Sequence, residues 1–406
     1  MLLKKKKTQQ LNFFVSIGAG LNQIPLIIEA KKLKFHVIGV DNNTAAPGFY
    51  SCDLKIQESI ENHDTLYKKL RELLIDGDII GIMTKSYGAA IITTSYLTEK
   101  FNIPYLPFPV SQLFINKKKM KSIFMEHGIK TPHLYPLTLK TKLGRIPAGQ
   151  YPIIIKPNSG HAKFNVRLVN NLSELQNFLS LQSDPENYIL EKFIKGDEII
   201  TAGIIHNKKY HLVEITDKKT KFPPYFTDWM HISPSKYAHL ASNFEVIGQK
   251  IANTFSISNS PLIMEFVITK DEEPFLIEAV PEFGGEFIPD ILIPASTGYN
   301  ILNEAIKSMT NKNFKPPVAA RKNNNAVVVR YITGQKGVLA SCNPDGPRKV
   351  KGTIFSRIFK EIGSSISDPV TNLDRLGVVI VTAQTADEAL ALAEKAANSF
   401  NIRIKP

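Results

Sequence analysis

Up to about residue 110 the chain alternates short apolar, β-prone runs with longer helical stretches. Residues 12–17 predict a buried strand, closed by Gly18-Ala19-Gly20. A helical stretch over 23–33 follows, then a strand over 35–40 that ends at Asp41. This β-α-β order sets an acidic residue behind the second strand. Further helices are predicted over 66–74 and 89–100 and a strand over 79–84, with Ile103-Pro104-Tyr105 leading into a last strand. Residues 1–110 thus read as an open α/β domain, with residues 1–10 a basic leader.

The pattern then changes. A helix over 116–127 is ended by Gly128 at the C-cap position, and Thr131-Pro132 prevents its continuation. Residues 138–150 read as a linker. Strands over 152–156 and 166–169 flank a polar loop, 157–165, and Ser173 is the expected cap of a helix to residue 179. A strand over 188–193 precedes a hairpin of 199–206 and 210–216 across Asn207-Lys208. Residues 218–236 read as a long loop, and long loops are often functional. After a helix over 244–255 come two apolar runs, 262–269 and 274–280, joined by Lys270-Asp271-Glu272-Glu273, which read as a hairpin. A helix over 299–309 ends the middle domain, 111–315. The Asn/Lys/Pro-rich stretch 311–325 marks a boundary. Strands over 326–332 and 377–382 and a helix over 388–400, with Asp387 before it, form a small α+β domain, 316–406.

The hairpin carries the sharpest chemical signal. Folded about Asp271-Glu272, it sets Glu265 opposite Glu278, with both carboxylates on one face. Like charges so placed destabilise a strand pair. A divalent cation held by oxygen ligands would offset them; the alternative is a surface hairpin whose carboxylates face water. Gly284 and Gly285 follow, where backbone could approach a ligand. Upstream, Lys156 ends an apolar strand before a loop whose amides and hydroxyls could cover phosphate oxygens. The G-x-x-x-x-G-K-[ST] loop is absent, and a lysine guarding a strand edge is the alternative. At Glu191-Lys192-Phe193-Ile194 a strand exit could bond an adenine edge while Phe193 or Ile194 packs on the ring, and Glu198 could accept from ribose hydroxyls; a strand end with solvated carboxylates is the alternative.

Composition narrows the classes. A chain of 406 residues implies two to four domains. The net charge of +13 comes from scattered lysines without the basic-aromatic interleaving of a nucleic-acid platform, so no nucleic-acid partner is expected. The positive field could instead gather anionic substrates such as ATP. Two cysteines, Cys52 and Cys342, fit neither a disulfide framework nor a metal set and suit a reducing cytoplasm. The first apolar run is short and enters the glycine turn directly, as a first strand does and a signal peptide does not. No run of about 18 apolar residues is present, so no membrane span is expected.

Taken together these elements resemble the ATP-grasp superfamily, in particular its carboxylate–amine ligases. The resemblance runs from Asn12 to Ile404. The family's helix motif ahead of a G-I-x-T-P turn appears as Asn116-Lys117 with Gly128-Ile129-Lys130-Thr131-Pro132. Its strand-end K-P appears as Lys156-Pro157, its E-x-x-x-x-G-x-E hinge as Glu191 with Gly196-Asp197-Glu198, and its metal pair as Glu265 and Glu278. The resemblance implies an ATP-grasp fold, α/β plus α+β, with an N-terminal Rossmann-like preATP-grasp domain and a small C-terminal domain. It implies ATP between two lobes, Lys117 and Lys156 on phosphates, Glu191 and the backbone of Lys192, Phe193 and Ile194 on adenine, and Glu198 on ribose. Glu265 and Glu278 would hold Mg²⁺, or Mn²⁺ in its place, and the loop 158–165 would act as a lid. A small-molecule carboxylate would form an acyl phosphate and an amine would displace phosphate. A homodimer is also implied.

Three departures stand out. The lid, Ser159-Gly160-His161-Ala162-Lys163-Phe164-Asn165, is poor in glycine, although Lys163 could still serve the γ-phosphate. The family's E-x-N-x-R segment reads Glu278-Ala279-Val280-Pro281-Glu282, so an Asn ligand is missing and a basic residue is replaced by Glu282. The substrate is then held differently, with an amine near Glu282, or catalysis is impaired. Gly284, Gly285 and Asp290 sit where such enzymes place substrate loops, and Phe226, Trp229 and His231 are expected to line the pocket. His231 is a candidate general base against the alternative of an ordinary loop histidine. Three further readings stand beside the ligase: an ATP-binding sensor with impaired catalysis, an oxidoreductase using Gly18-x-Gly20 and Asp41 without the third glycine of its motif, and a biotin-linked carboxylase, for which no biotinyl-carrier segment is present.

Overall fold

The first sheet is built from strands that are apolar along most of their length, as strands covered on both faces must be. The computed structural model describes residues 11–73, 77–137, 146–160, 162–220, 226–311, 313–316, 323 and 325–406. The basic leader, most of the expected linker, His161 and part of the 218–236 and 311–325 stretches lie outside the described residues. β1 (Leu11–Ile17), α1 (Ile24–Lys32), β2 (His36–Asp41), β3 (Leu54–Gln57), α2 (His63–Leu73), β4 (Gly77–Met83) and α3 (Ala89–Lys100) follow in order. The sheet is parallel, in the order β3-β2-β1-β4. β3 was not apparent in the sequence because only Ile56 of its four residues is buried. The strand expected after Ile103-Pro104-Tyr105 does not form. Tyr105 instead donates from its hydroxyl to the Pro281 carbonyl at 2.9 Å, and the chain enters α4 (Phe108–Phe114).

α5 (Lys117–Glu126) is capped by Asn116, whose side chain accepts from the Lys119 amide. It is followed by β5 (Leu134–Tyr135), β6 (Ile153–Pro157), β7 (Arg167–Val169), α6 (Leu172–Ser180) and β8 (Tyr188–Lys192). The cap of α6 is Asn171 rather than Ser173, because the Asn171 side chain accepts from the Glu174 amide. These strands make an antiparallel sheet, β5-β8-β6-β7. Ile153, Ile155 and Leu190 point to Leu175 and Leu179 of α6. Ile154 and Lys156, one residue out of phase, point the other way into a cavity.

The larger sheet contains β9 (Asp197–His206), β10 (Lys209–Thr220), β11 (Asp228–Ser233), β12 (Ser260–Ile268) and β13 (Pro274–Val280), with α7 (Ala241–Thr254) behind them. α8 (Ile293–Thr297) and α9 (Ile301–Thr310) lead on to β14 (Ala326–Ile332), β15 (Gly337–Ser341), β16 (Thr353–Ile358), β17 (Ser365–Ile366), β18 (Gly377–Ala383), α10 (Ala386–Ser399) and β19 (Arg403–Lys405). The order β13-β12-β9-β10-β11-β14-β18-β16 makes one antiparallel sheet of eight strands. A small sheet, β17-β15-β19, lies apart from it. In β12, Leu262, Met264, Phe266 and Ile268 are buried, with Phe266 packed on Phe244 of α7, while Ile263, Glu265 and Val267 face the cavity.

The expected loop at 218–236 is largely strand: β10 continues to Thr220 and β11 begins at Asp228. The polar Asp217-Lys218-Lys219 run suggested a strand end. Its charges are instead satisfied by partners on neighbouring strands, so pairing continues through it.

The Tyr210 ring of β10 fits against β9 and α7 because of two glycines. A Cβ on Gly203 would run into the Tyr210 ring and the His211 carbonyl oxygen, and one on Gly248 would meet the same ring. Gly203→Ala should therefore lower stability by about 1–3 kcal/mol. Thermal unfolding checks this against Gly149→Ala, where a Cβ meets nothing within 4 Å; equal midpoints would contradict the packing.

Candidate active site

A cavity of about 1770 Å³ separates the four-stranded and eight-stranded sheets. Lys117, Lys156, Lys163, Glu191, Glu198, Glu265, Glu278, Glu282, Gly284 and Gly285 all line it, as do Lys192, Phe193 and Ile194 at the end of β8. Sequence positions spread over 169 residues, from 117 to 285, thus meet at one cleft. His231 is not among the lining residues.

Glu265 and Glu278 are directly opposite in the β12–β13 register, with a bulge immediately after Glu265. Their repulsion is offset by lysines. Lys218, its side chain 1% exposed, lies 2.9 Å from Glu265, 3.2 Å from Asp228 and 3.4 Å from Glu198. Burial disfavours its charge, but Asp228, Glu265 and Glu198 outweigh that and hold its pKa well above the ordinary lysine value. Burial likewise pushes the Glu265 carboxyl up, and Lys218 and Lys163 overcome this and bring it down to about 2. Lys163 lies 3.7 Å from both Glu198 and Glu265. On the other side, Lys117 sits 3.3 Å from Glu278 and donates to the Gly160 carbonyl at 2.8 Å.

Lys156 and Glu191 form a second group. Glu191 lies 3.0 Å from Lys156 and 3.2 Å from the fully buried Lys121. Burial lowers the Lys121 pKa to about 8 despite Glu191, and the two lysines hold the Glu191 carboxyl below its usual range against burial. The Lys192 amide donates to the His133 carbonyl at 2.9 Å, so a ligand edge at this hinge would meet the neighbouring Phe193 and Ile194 backbone instead. The glycine-poor loop adopts backbone that glycine favours: Ala162, Lys163 and Asn165 have φ of 57°, 61° and 52°. Holding non-glycine residues there costs on the order of 1 kcal/mol each. The loop is tied to the C-terminal region, because the Asn372 amide donates to the Ala162 carbonyl.

The turn after β13 brings in residues the sequence did not single out. Arg375 donates to Glu286 at 2.7 Å and to the Asp228 carbonyl, and stacks on Tyr331 with its guanidinium carbon 3.7 Å from the ring centroid. Asn372 donates to both Asp228 and Glu286. His231 corrects the expectation of a pocket-lining loop histidine: it is a fully buried β11 residue whose Nε2 lies 2.6 Å from Glu286. It can orient Glu286, which lines the cavity, and does not itself face it. Burial raises the Glu286 carboxyl, but Arg375 and His231 hold it well below the usual carboxylate range. Glu282 differs from all these: burial pushes its carboxyl up to about 7, although the Gly284 amide, 2.7 Å from its Oε2, the Phe283 amide and the more distant Lys85 charge pull the other way. Lys85, also unpredicted, is buried on the same wall and lies 3.0 Å from Asp290.

The dinucleotide alternative loses its acidic residue. Asp41 accepts from the Ala19 amide at 2.9 Å and the Asn43 amide at 3.0 Å, and the Gly48 amide bonds the Ala19 carbonyl. The glycine turn is closed by its own chain.

Glu265 and Glu278 supply hard oxygen donors on one face, the donor chemistry Mg²⁺ takes together with phosphate oxygens. Among the described residues no group of three His, Cys, Asp or Glu side chains could hold a metal alone. A two-carboxylate site completed by substrate oxygens fits that arrangement. No helix among the described residues is long and apolar enough to cross a membrane.

Comparison with known proteins agrees with the geometry. A family model described as an ATP-grasp domain matches residues 149–290, and one described as L-amino acid ligase C-terminal domain 2 matches residues 330–405. The D-alanine–D-alanine ligase of Lawsonia intracellularis is 28% identical over 193 residues, 45% of this chain and 62% of that protein. The D-alanine–D-alanine ligase A of Bacillus cereus is 33% identical over 123 residues, 29% of this chain and 40% of that protein. The matched segment thus spans less than two thirds of these relatives' length. The crystal structure of an L-amino acid ligase from Bacillus licheniformis superimposes with a TM-score of 0.79 at 19% identity, covering 98% of this chain and 99% of that one. Phosphoribosylglycinamide synthetase from Anaerococcus prevotii gives 0.75 at 20% identity, covering 98% and 100%. These structural likenesses establish the fold.

Lys218→Met should cost about 3–5 kcal/mol, since it strands buried carboxylates without their cation. Equilibrium urea unfolding measures it, and wild-type stability would contradict the Lys218 assignment. The same ion pairs set a pH dependence. The Glu265 carboxyl is depressed from 4.5 to about 2, so its stabilisation is full above pH 4.5 and is lost as pH falls toward 2. Lys218→Met should flatten that acid limb, and an unchanged limb would contradict the cause given.

Proposed function

We propose that this chain, which matches an ATP-grasp domain over residues 149–290 and an L-amino acid ligase C-terminal domain over residues 330–405, joins a small carboxylic acid to an amine in an ATP-dependent reaction through an acyl phosphate. The observation that carries this reading is the opposed pair Glu265 and Glu278, facing a cleft whose other wall bears Lys156. ATP lies between the sheets. Its adenine sits at Glu191 and the backbone of Phe193 and Ile194, its ribose at Glu198, and its phosphates near Lys117, Lys156 and Lys163. Mg²⁺, or Mn²⁺ in its place, would be held by Glu265 and Glu278 and would offset phosphate charge.

A carboxylate oxygen of the acid attacks the γ-phosphorus, the bond to the ADP oxygen breaks, and ADP leaves. The amine nitrogen then attacks the acyl carbon, the bond from that carbon to the phosphate oxygen breaks, and phosphate leaves. The nitrogen gives up a proton, and an amide results. Catalysis of this kind is positioning plus charge stabilisation, which the lysine-rich walls supply. The loop around Lys163 shelters the acyl phosphate from water. His231, Asn372 and Arg375 position Glu286 beside the substrate turn. A second reading, a nucleotide-binding sensor with impaired catalysis, is favoured by one observation: Glu282 stands where the family carries a basic residue.

ADP release assayed with panels of acids and amines separates the two readings. The ligase releases ADP only when an acid is present and forms product only with an amine; Mg-ATP binding without acid-dependent ADP across the panels would favour the sensor. Glu278→Gln should cut turnover on the order of 10²-fold or more with the melting midpoint kept. Full activity in that variant would remove the metal assignment.

A further inference from the structure

One carboxylate on the cavity wall is left without a cation. Among the described residues, every other lining carboxylate has a lysine or arginine at 3.4 Å or less, including Asp290 with Lys85 and Glu286 with Arg375. Glu282 has no such partner, although it is only 6% exposed and lines the same cavity. Its Oε2 accepts from the Gly284 amide, which fixes the carboxylate but does not neutralise it. Lys85, whose charge reaches Glu282 without forming an ion pair with it, is committed to Asp290 at 3.0 Å. Among the described residues no metal-binding group of three ligands includes Glu282. The same cavity is also lined by an aromatic group, with Arg357 and Lys360 beside it in sequence. Phe287 packs against Phe355 with centroids 5.1 Å apart and against Phe359 at 6.5 Å, and Phe359 remains 40% exposed.

A buried carboxylate without a counter-charge is costly, and a ligand that brings the charge removes the cost. We propose that Glu282 seats the ammonium group of the amine substrate and takes up the proton its nitrogen must lose before it attacks, and that this substrate arrives as a cation with an apolar body resting on the shelf of Phe287, Phe355 and Phe359. The inference rests on the ligase reading and narrows it. Glu282 and Glu278 line the same cavity and the Glu278 charge bears on Glu282, so an ammonium held there is near the carboxylates assigned to the reacting phosphates. The raised pKa of Glu282, driven mainly by burial, is the expected state of such a seat before a cation arrives. The substitution of acid for base at this position thus changes which end of the second substrate is recognised.

Isothermal titration calorimetry on the full chain with saturating Mg-ADP tests this with three probes of one shape: 2-phenylethylamine, 2-phenylethanol and phenylacetate. The amine should bind at least about tenfold more tightly than the alcohol or the acid. Glu282→Gln should abolish that preference, Glu282→Asp should retain it, and Glu282→Arg should favour phenylacetate. Mg-ADP affinity, read in parallel, reports whether each variant keeps its fold. Equal binding of amine and alcohol, an amine preference that survives in Glu282→Gln, or no probe binding at millimolar concentration while Mg-ADP binds would each overturn the ammonium seat alone. Failure of the wild type to bind Mg-ADP would overturn the ligase reading and the assignment of the cation as its substrate.

Discussion

Two carboxylates face each other across neighbouring strands at Glu265 and Glu278, and much of the surrounding structure answers their repulsion. Lys218 is the main answer. It lies buried between Glu265, Asp228 and Glu198, and each of those acids keeps it charged. Lys117 answers on the Glu278 side and also binds the Gly160 carbonyl, so the same lysine ties the acidic hairpin to the loop after β6. Buried ion networks of this kind add little net stability, because desolvation offsets most of the attraction. What they secure is a fixed arrangement of carboxylates that a cation and phosphates can enter.

The cleft has three kinds of lining: Lys156 and Glu191 at the hinge, the lysines and carboxylates around Glu265 and Glu278, and the aromatic pair Phe287 and Phe355. The C-terminal region contributes to it. Arg375 and Asn372 reach Asp228 and Glu286, and the Asn372 amide holds the Ala162 carbonyl of the phosphate loop. Strands β14, β18 and β16 continue the large sheet, so these contacts sit on the same framework as the acidic hairpin.

The parts legible in the sequence were those where a local pattern and the chemistry coincide. The hairpin was plain because two apolar runs flank a four-residue polar turn, and symmetry about that turn fixes the register that opposes Glu265 and Glu278. Helix α3 matched its expected limits, and Asn116 was flagged at the start of α5. Lys218 was hidden by the same rule that found the hairpin: a polar run was read as the end of a strand, whereas its charges are neutralised across strands. Arg375 and Asn372 were invisible because nothing local marks a loop residue that serves a site over 80 positions away, as the 89-residue separation of Arg375 and Glu286 shows. His231 was singled out as chemistry, but its buried place on β11 makes it a support for Glu286.

The central claim is that an acid's own oxygen attacks the γ-phosphate in this cleft. Isotope transfer measures that step directly. The protein is incubated with Mg-ATP, a mixture of amino acids labelled with ¹⁸O in their carboxyl groups, and unlabelled amines, and the released phosphate is examined by mass spectrometry. The released phosphate should carry one ¹⁸O and form in step with ADP; ADP release with unlabelled phosphate, or Mg-ATP binding without ADP release, would contradict attack by the acid.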